Sequence, residues 1–201
     1  MIAFTLFIVN SPGHAQGGAD ERVLPIAAWL FDEGQGGVAR DVTGNGYDGQ
    51  IIDNVQWKTG RLGGALAFGP GRPWRRVVIP HQDGLVLNHF TMTARIRVRR
   101  TRDPLQMIIG KEQTRDRMSY SMWIEPDGQL KIGTYAIFPV IGSVRTGHTE
   151  KITDGLWHFV AGGYNRKTLV AYIDGTPLGE VKWIGKPIGG DEGPLRWRSP
   201  H

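Results

Sequence analysis

Phe90-Thr91-Met92-Thr93-Ala94-Arg95-Ile96-Arg97-Val98-Arg99 carries an apolar residue at every second position and a threonine or arginine between them. Alternate side chains of an extended chain point to opposite faces. The run therefore predicts a strand that buries Phe90, Met92, Ala94, Ile96 and Val98 and turns Thr91, Thr93, Arg95, Arg97 and Arg99 outward. Ten further apolar or alternating runs read the same way: 26–31, 49–55, 65–68, 75–79, 105–111, 118–125, 130–135, 157–161, 169–174 and 179–183. Turn chemistry separates them: Pro126-Asp127-Gly128, Asp83-Gly84, Asp154-Gly155 and Asp174-Gly175. Aspartate-glycine pairs suit hairpins because glycine, and to a lesser degree aspartate, tolerates positive φ. Beyond Val23 no stretch has the apolar spacing of a surface helix. Many short strands with turns every 8 to 12 residues or so predict an all-β, two-sheet antiparallel sandwich.

The 201 residues allow one domain with a substantial core, and the 29 glycines match a turn-rich chain. No apolar stretch reaches the ~18 residues of a membrane-spanning helix. With no cysteine, disulfide frameworks, cysteine nucleophiles and thiolate metal sites are excluded. The net charge of +5 is uneven. Asp20 to Asp53 holds seven acids and two bases, whereas Arg72 to Arg102 holds eight arginines and one acid. Several of those arginines alternate with apolar residues, which marks a strand face, not a polybasic arm for nucleic acid.

At the amino terminus, Ile2 to Val9 is apolar except for Thr5, and Asn10-Ser11-Pro12 and Gly13-His14-Ala15 follow. An apolar run, a helix breaker and small residues two apart make a signal peptide over residues 1–15, with 16–22 as linker and 23–201 as the folded domain. The positively charged start of such a leader is missing, and the same run also reads as a short first strand of the core. Export would place the domain outside the cytoplasm, secreted or at a bacterial cell envelope.

Several segments, taken in order, resemble the laminin-G-like jelly rolls of the concanavalin A-like lectin/glucanase superfamily. They are Ala28-Trp29-Leu30-Phe31-Asp32-Glu33-Gly34-Gln35-Gly36, the loop from Asp41 to Gly49, Gly60 to Phe68, Phe90 to Ala94, Trp157 to Ala161 and Tyr172-Ile173-Asp174-Gly175. The resemblance covers about 150 residues and implies a concanavalin A-like jelly roll. The chain departs from the pattern in two places. Arg95 stands where the family usually has tryptophan, and Arg196-Trp197-Arg198-Ser199-Pro200-His201 stands where a closing Ile-Asp-Glu-Val-like strand is expected. The resemblance thus implies a domain lacking its closing strand, with backbone groups of a neighbour left bare.

Because the superfamily includes glucanases, paired carboxylates matter. Retaining glycosidases need two carboxyls about 5 to 5.5 Å apart. The nearest match, Glu125-Pro126-Asp127-Gly128-Gln129-Leu130, has Gln129 and Leu130 at both positions where the second glutamate would stand. Neither Gly-x-Ser-x-Gly nor His-Glu-x-x-His occurs, and His81, His89, His148 and His158 are scattered. The sequence therefore reads as non-catalytic. Asp41-x-Thr43-x-Asn45-Gly46-x-Asp48 resembles a calcium loop, but Ile52 stands where an EF-hand carries its bidentate glutamate. By resemblance alone, Asp32 and Asp41 are the candidates for a structural calcium; the alternative is a tight turn built by Asp, Asn and Gly.

Sugars stack C–H faces on aromatic rings while their hydroxyls take hydrogen bonds. Strand parity turns Arg95 and Arg97, Ser121 and Trp123, and Lys131 and Tyr135 outward. If those strands share one concave sheet, Arg95, Trp123 and Tyr135 form an aromatic-cationic ligand patch. A loop such as Phe138 to Val144 covering Trp123 is the competing arrangement. The expectation is a non-catalytic lectin-like module for a glycan or an extracellular protein, belonging to a larger multidomain protein. Its rivals are a structural or adhesion module without a small ligand, and a glycan-cleaving enzyme.

Overall fold

The computed structural model describes residues 6–9, 24–69, 75–99, 106–114, 117–135, 141–145, 152–182 and 194–198. Its strands are β1 (Leu6–Val9), β2 (Pro25–Trp29), β3 (Val38–Ala39), β4 (Gly49–Ile52), β5 (Gln56–Thr59), β6 (Gly64–Ala67), β7 (Arg76–Ile79) and β8 (Phe90–Arg99). They continue with β9 (Gln106–Thr114), β10 (Arg117–Ile124), β11 (Leu130–Tyr135), β12 (Ile141–Arg145), β13 (Asp154–Tyr164), β14 (Thr168–Ile173), β15 (Thr176–Lys182) and β16 (Leu195–Arg198). One sheet runs β15-β14-β13-β8-β1-β2 and the other β12-β11-β10-β9-β16-β7-β4-β3, while β5 and β6 form a separate hairpin. This is the antiparallel sandwich that the alternation predicts.

On β8 every second residue from Phe90 to Val98 is buried and those between are partly open. Hydrophobic burial at about 25 cal/mol per Å² selects this register, since a slip of one residue would bury the arginines instead. Phe90, Met92 and Ile96 share one hydrophobic core with Tyr120, Met122 and Ile132 of the facing sheet, all 0% exposed. The rings of Phe90 and Tyr120 lie 5.1 Å apart, and the buried Tyr120 hydroxyl donates to the Leu85 carbonyl at 2.9 Å. At the other end of the core, Trp29, Phe31 and Trp197 meet edge to face.

Two segments differ from expectation, and a third takes one of the two readings that its sequence left open. Leu195–Arg198, which overlaps the Arg196–His201 stretch expected to lack a strand, forms β16, which sits in the larger sheet with β7 on one side and β9 on the other. Its Leu195 and Trp197 are fully buried, so a two-residue period is present there too, only too short to stand out. Leu6–Val9 pairs with β2 on one side and β8 on the other, with Ile8 fully buried; this is the arrangement of a first core strand. Asp154-Gly155 is no hairpin turn. It lies within β13, where Gly155 at φ 88° accompanies a register shift between Asp154 and Trp157, so the glycine makes a bulge and the strand continues. Asp174-Gly175 does turn the chain between β14 and β15. Its φ values of 50° and 83° are the pair of positive angles that a two-residue hairpin of the favoured twist requires.

Candidate functional site

The outward face of β8 meets that of β13 in fixed register: Arg97 stands opposite Trp157 and Arg95 opposite Phe159. Between these rungs Ile96 and His158 point the other way, because the side-chain period is two. Each guanidinium lies over its partner ring, Arg97 5.4 Å from the Trp157 centroid and Arg95 5.5 Å from that of Phe159. Both distances are within cation–π range. Both rungs line a cleft of about 490 Å³, together with Arg61, Gly155, Leu156 and Asp174.

Each remaining lining residue is delivered by a specific local structure. Arg61 rides the β5–β6 turn, closed by a hydrogen bond from Gly60 N–H to the Gly63 carbonyl at 2.8 Å. Asp32 fixes that turn from outside, its Oδ1 accepting the Gly64 N–H at 2.5 Å. A side chain at Gly64 would stand 1.9 Å from the Phe31 carbonyl oxygen, so only glycine lets β6 approach the segment after β2 this closely. The β13 bulge carries Leu156, 64% exposed, into the cleft. Asp174 belongs to the β14–β15 turn, and its Oδ1 accepts the Phe159 N–H at 2.7 Å.

Behind the cleft, His158 joins two carboxylates, with Nδ1 2.7 Å from Asp174 Oδ2 and Nε2 3.2 Å from Asp154 Oδ1. Burial pushes the imidazole pKa down, but the hydrogen bonds and charges of Asp174 and Asp154 outweigh it, leaving it above its ordinary 6.5. Burial likewise pushes Asp174 up; the Phe159 N–H, His158 and Arg95 overcome that and hold it below its ordinary 3.8. Asp154 is lowered chiefly by the Leu156 N–H. A raised histidine stabilises the fold below its unfolded value, and the gain is lost as pH rises through the folded value. The lowered aspartates stabilise above 3.8, and lose it as pH falls through their folded values. The cluster therefore contributes most between pH 3.8 and 6.5. Relative to His158→Gln, the parent protein is expected to gain in melting temperature at pH 5.5 over pH 8.5. An unchanged difference across that range counts against the cluster. Taking the difference removes His89, whose pKa is lowered by burial and Arg166 and which acts oppositely.

The residues singled out by the sequence do not all meet. Arg95 is in the cleft, on the six-stranded sheet, whereas Trp123 on β10 and Tyr135 on β11 belong to the eight-stranded sheet. Arg95 therefore does not share a sheet with Trp123 and Tyr135, the condition on which the single concave patch rested, because strand parity fixes a face but not a sheet. Trp123 is 2% exposed, donates its indole N–H to Glu125 Oε1 at 2.8 Å, and lies 5.2 Å from the Lys131 ammonium. The Tyr135 side chain and residues 138–140 lie outside the described residues. Glu125 also contacts Lys131 at 3.4 Å, and Asp127 Oδ1 caps the turn at Gln129 N–H. Both carboxylates of the glucanase-like stretch therefore hold a hairpin together.

Asp32 and Asp41 serve the loops around the first strands. The Asp41 carboxylate, 8% exposed, accepts from four donors: Ala28 N–H at 3.0 Å, Thr43 N–H at 3.1 Å, Thr43 Oγ1 at 2.8 Å and Tyr47 N–H at 3.2 Å. Donors aimed at a carboxylate suit the anion itself and do not fit a calcium ion, which needs those lone pairs. Among the described residues no three acids or histidines converge as metal ligands. Trp157 and Phe159 went unrecognised as site residues, although the run 157–161 is legible as a strand.

The Laminin_G_3 family model, described as the concanavalin A-like lectin/glucanases superfamily, matches residues 75–199, more than half of the chain. No curated protein sequence matches it. Among solved structures, the binding domain of Paraclostridial Mosquitocidal Protein 1 superposes with a TM-score of 0.63 at 14% identity, covering 98% of this chain and 47% of that one. A structure titled for the dependence of botulinum neurotoxin type C cell entry on two ganglioside molecules gives 0.62 at 15%, covering 83% and 41%. Domain 4 of a GH43 extracellular arabinanase from Geobacillus stearothermophilus, in complex with arabinotriose, gives 0.58 at 16%, covering 78% and 76%. The chain spans about half or less of the two toxin chains. At these identities the likeness is one of fold.

Proposed function

The chain belongs to the concanavalin A-like lectin/glucanases superfamily, and on that premise we propose that it is a non-catalytic, lectin-like module that binds a glycan outside the cytoplasm. The observation that carries this reading is the cleft of Arg61, Arg95, Arg97, Trp157 and Phe159. It sets guanidinium donors, each held over an aromatic ring, around a concave site on a sheet face, and such convergent donors suit sugar hydroxyls and acidic groups. Three of its charged groups are guanidinium groups, which donate but cannot take a proton, and its one carboxylate, Asp174, already accepts the Phe159 N–H and faces His158. Support by analogy comes from the arabinanase domain solved with arabinotriose and from the neurotoxin whose entry depends on gangliosides. Membership in a larger protein agrees with similar structures that are domains of larger proteins, and export agrees with the one that belongs to an extracellular arabinanase.

A protein partner is the second reading. It is favoured by Leu156 and Leu62, 64% and 65% exposed beside the cleft residues Trp157 and Arg61, and by the similar neurotoxin DC binding domain solved with rat synaptotagmin II.

The test is affinity electrophoresis through gels containing arabinan, xylan, β-glucan, polygalacturonate or dextran sulfate, with reducing-sugar release measured alongside. At least one polysaccharide is expected to retard the protein, Trp157→Ala is expected to restore free mobility, and no reducing ends should form. Free mobility in every gel, or sugar release, overturns the proposal.

A further inference from the structure

We infer that the cleft takes an acidic saccharide, one bearing carboxylate or sulfate groups, and that Arg95 and Arg97 read those groups. The inference rests on the glycan-binding reading and narrows it. Four charged side chains line the cleft, Arg61, Arg95, Arg97 and Asp174, for a formal sum of 3 − 1 = +2. The one acid is engaged by the Phe159 N–H, by His158 and by the charge of Arg95, which leaves the lining with a positive excess.

The rings point the same way. A platform for a neutral sugar presents an open aromatic face, but here a guanidinium lies over Trp157 and another over Phe159. Those covered faces are closed to sugar C–H groups. What the rings do is hold two long, flexible side chains in place, so that less rotamer freedom is lost when a ligand binds. A guanidinium presents five donors in a planar fork that matches carboxylate and sulfate geometry. The two rungs are two residues apart on β8, hence about 7 Å apart, and Arg61 reaches the same space from the β5–β6 turn. Two anchored cations at fixed separation and a third at the rim favour a short acidic oligosaccharide with repeated negative groups. A volume of about 490 Å³ is in the range of small-ligand sites.

Isothermal titration with trigalacturonate, a heparin-derived tetrasaccharide, neutral galactotriose and a thymidylate tetramer tests this. At least one acidic saccharide should bind at least tenfold more tightly than galactotriose and the nucleotide, and tightening at low salt should accompany it. Preference for the trigalacturonate identifies carboxylate recognition, and preference for the heparin fragment identifies sulfate. Arg95→Gln with Arg97→Gln should weaken that binding at least tenfold with the melting temperature retained, and Arg97→Lys should restore only part of it. Should the double variant melt early, Arg61→Gln, on an exposed turn, must still weaken acidic-saccharide binding severalfold. Galactotriose bound equally well, and indifferent to Arg95 and Arg97, overturns the inference while leaving glycan binding standing. Equal binding of the thymidylate tetramer, or no acidic saccharide bound, also overturns it.

Discussion

Replacing Trp197 by alanine is expected to lower the unfolding free energy by about 3–5 kcal/mol, the cost typical of emptying a buried tryptophan site. In a domain of this size that corresponds to roughly 10 °C in melting temperature. Trp197 is 0% exposed and packs edge to face on Trp29, centroids 4.7 Å apart, and on Phe31 at 5.8 Å. Truncation would open a void beside the Trp29 and Phe31 rings that the strands cannot close, since β16 is pinned by β7 on one side and β9 on the other. Trp197→Phe separates packing from polarity. The indole N–H of Trp197 is buried and makes no hydrogen bond, so phenylalanine removes an uncompensated donor while keeping most of the ring contact. It should cost clearly less than alanine. Urea denaturation of both variants is the measurement; alanine tolerated at under about 1 kcal/mol would mean that β16 is not part of the folded core.

β16 also shows where sequence stopped being sufficient. On β8, ten residues repeat the two-residue period five times, and the structure follows it residue for residue. On β16, Leu195-Arg196-Trp197-Arg198 carries the same period for only two cycles, too few to distinguish from an irregular, arginine-rich end. Its place in the middle of a sheet comes from partners more than 80 positions away in β7 and β9. Strand pairing of that kind is non-local and leaves no mark in the strand itself. The cleft follows the same logic. Arg95 and Arg97 are legible as an outward face, and Trp157 and Phe159 lie in a legible strand. That each arginine covers one of those rings is a property of the β8–β13 register, which neither strand encodes alone. Trp123 fails for a related reason. Its parity is correct, with Tyr120 and Met122 facing the core, but the second face of β10 is closed as well, with Ser121 0% and Trp123 2% exposed.

Asp41→Ala is expected to destabilise the fold by on the order of 3 kcal/mol, from the loss of charge-assisted hydrogen bonds and the stranding of their donors. The Ala28 N–H belongs to β2, and those of Thr43 and Tyr47 to the loop that returns to β4. One carboxylate therefore ties a strand to a nine-residue excursion, and its own N–H completes the turn by donating to Asp48 Oδ1 at 2.8 Å. The same loop carries the Tyr47 carbonyl that accepts the Trp29 indole N–H at 2.9 Å, so loosening it reaches the Trp29–Trp197 contact in the core. Asp41→Asn keeps the size but loses the charge and turns one acceptor into a donor, and should recover only part of the loss. A calcium ligand would behave differently. Removing it would abolish a stabilisation that depends on added calcium, because a metal that binds the folded form stabilises by mass action. With all four donors directed at the Asp41 oxygens, the melting temperature should be the same in EDTA and in millimolar calcium. The penalty of Asp41→Ala should be equal in both. A calcium-dependent rise that vanishes in Asp41→Ala would give the carboxylate to the metal, and would require the Thr43 and Tyr47 N–H groups to turn away from it.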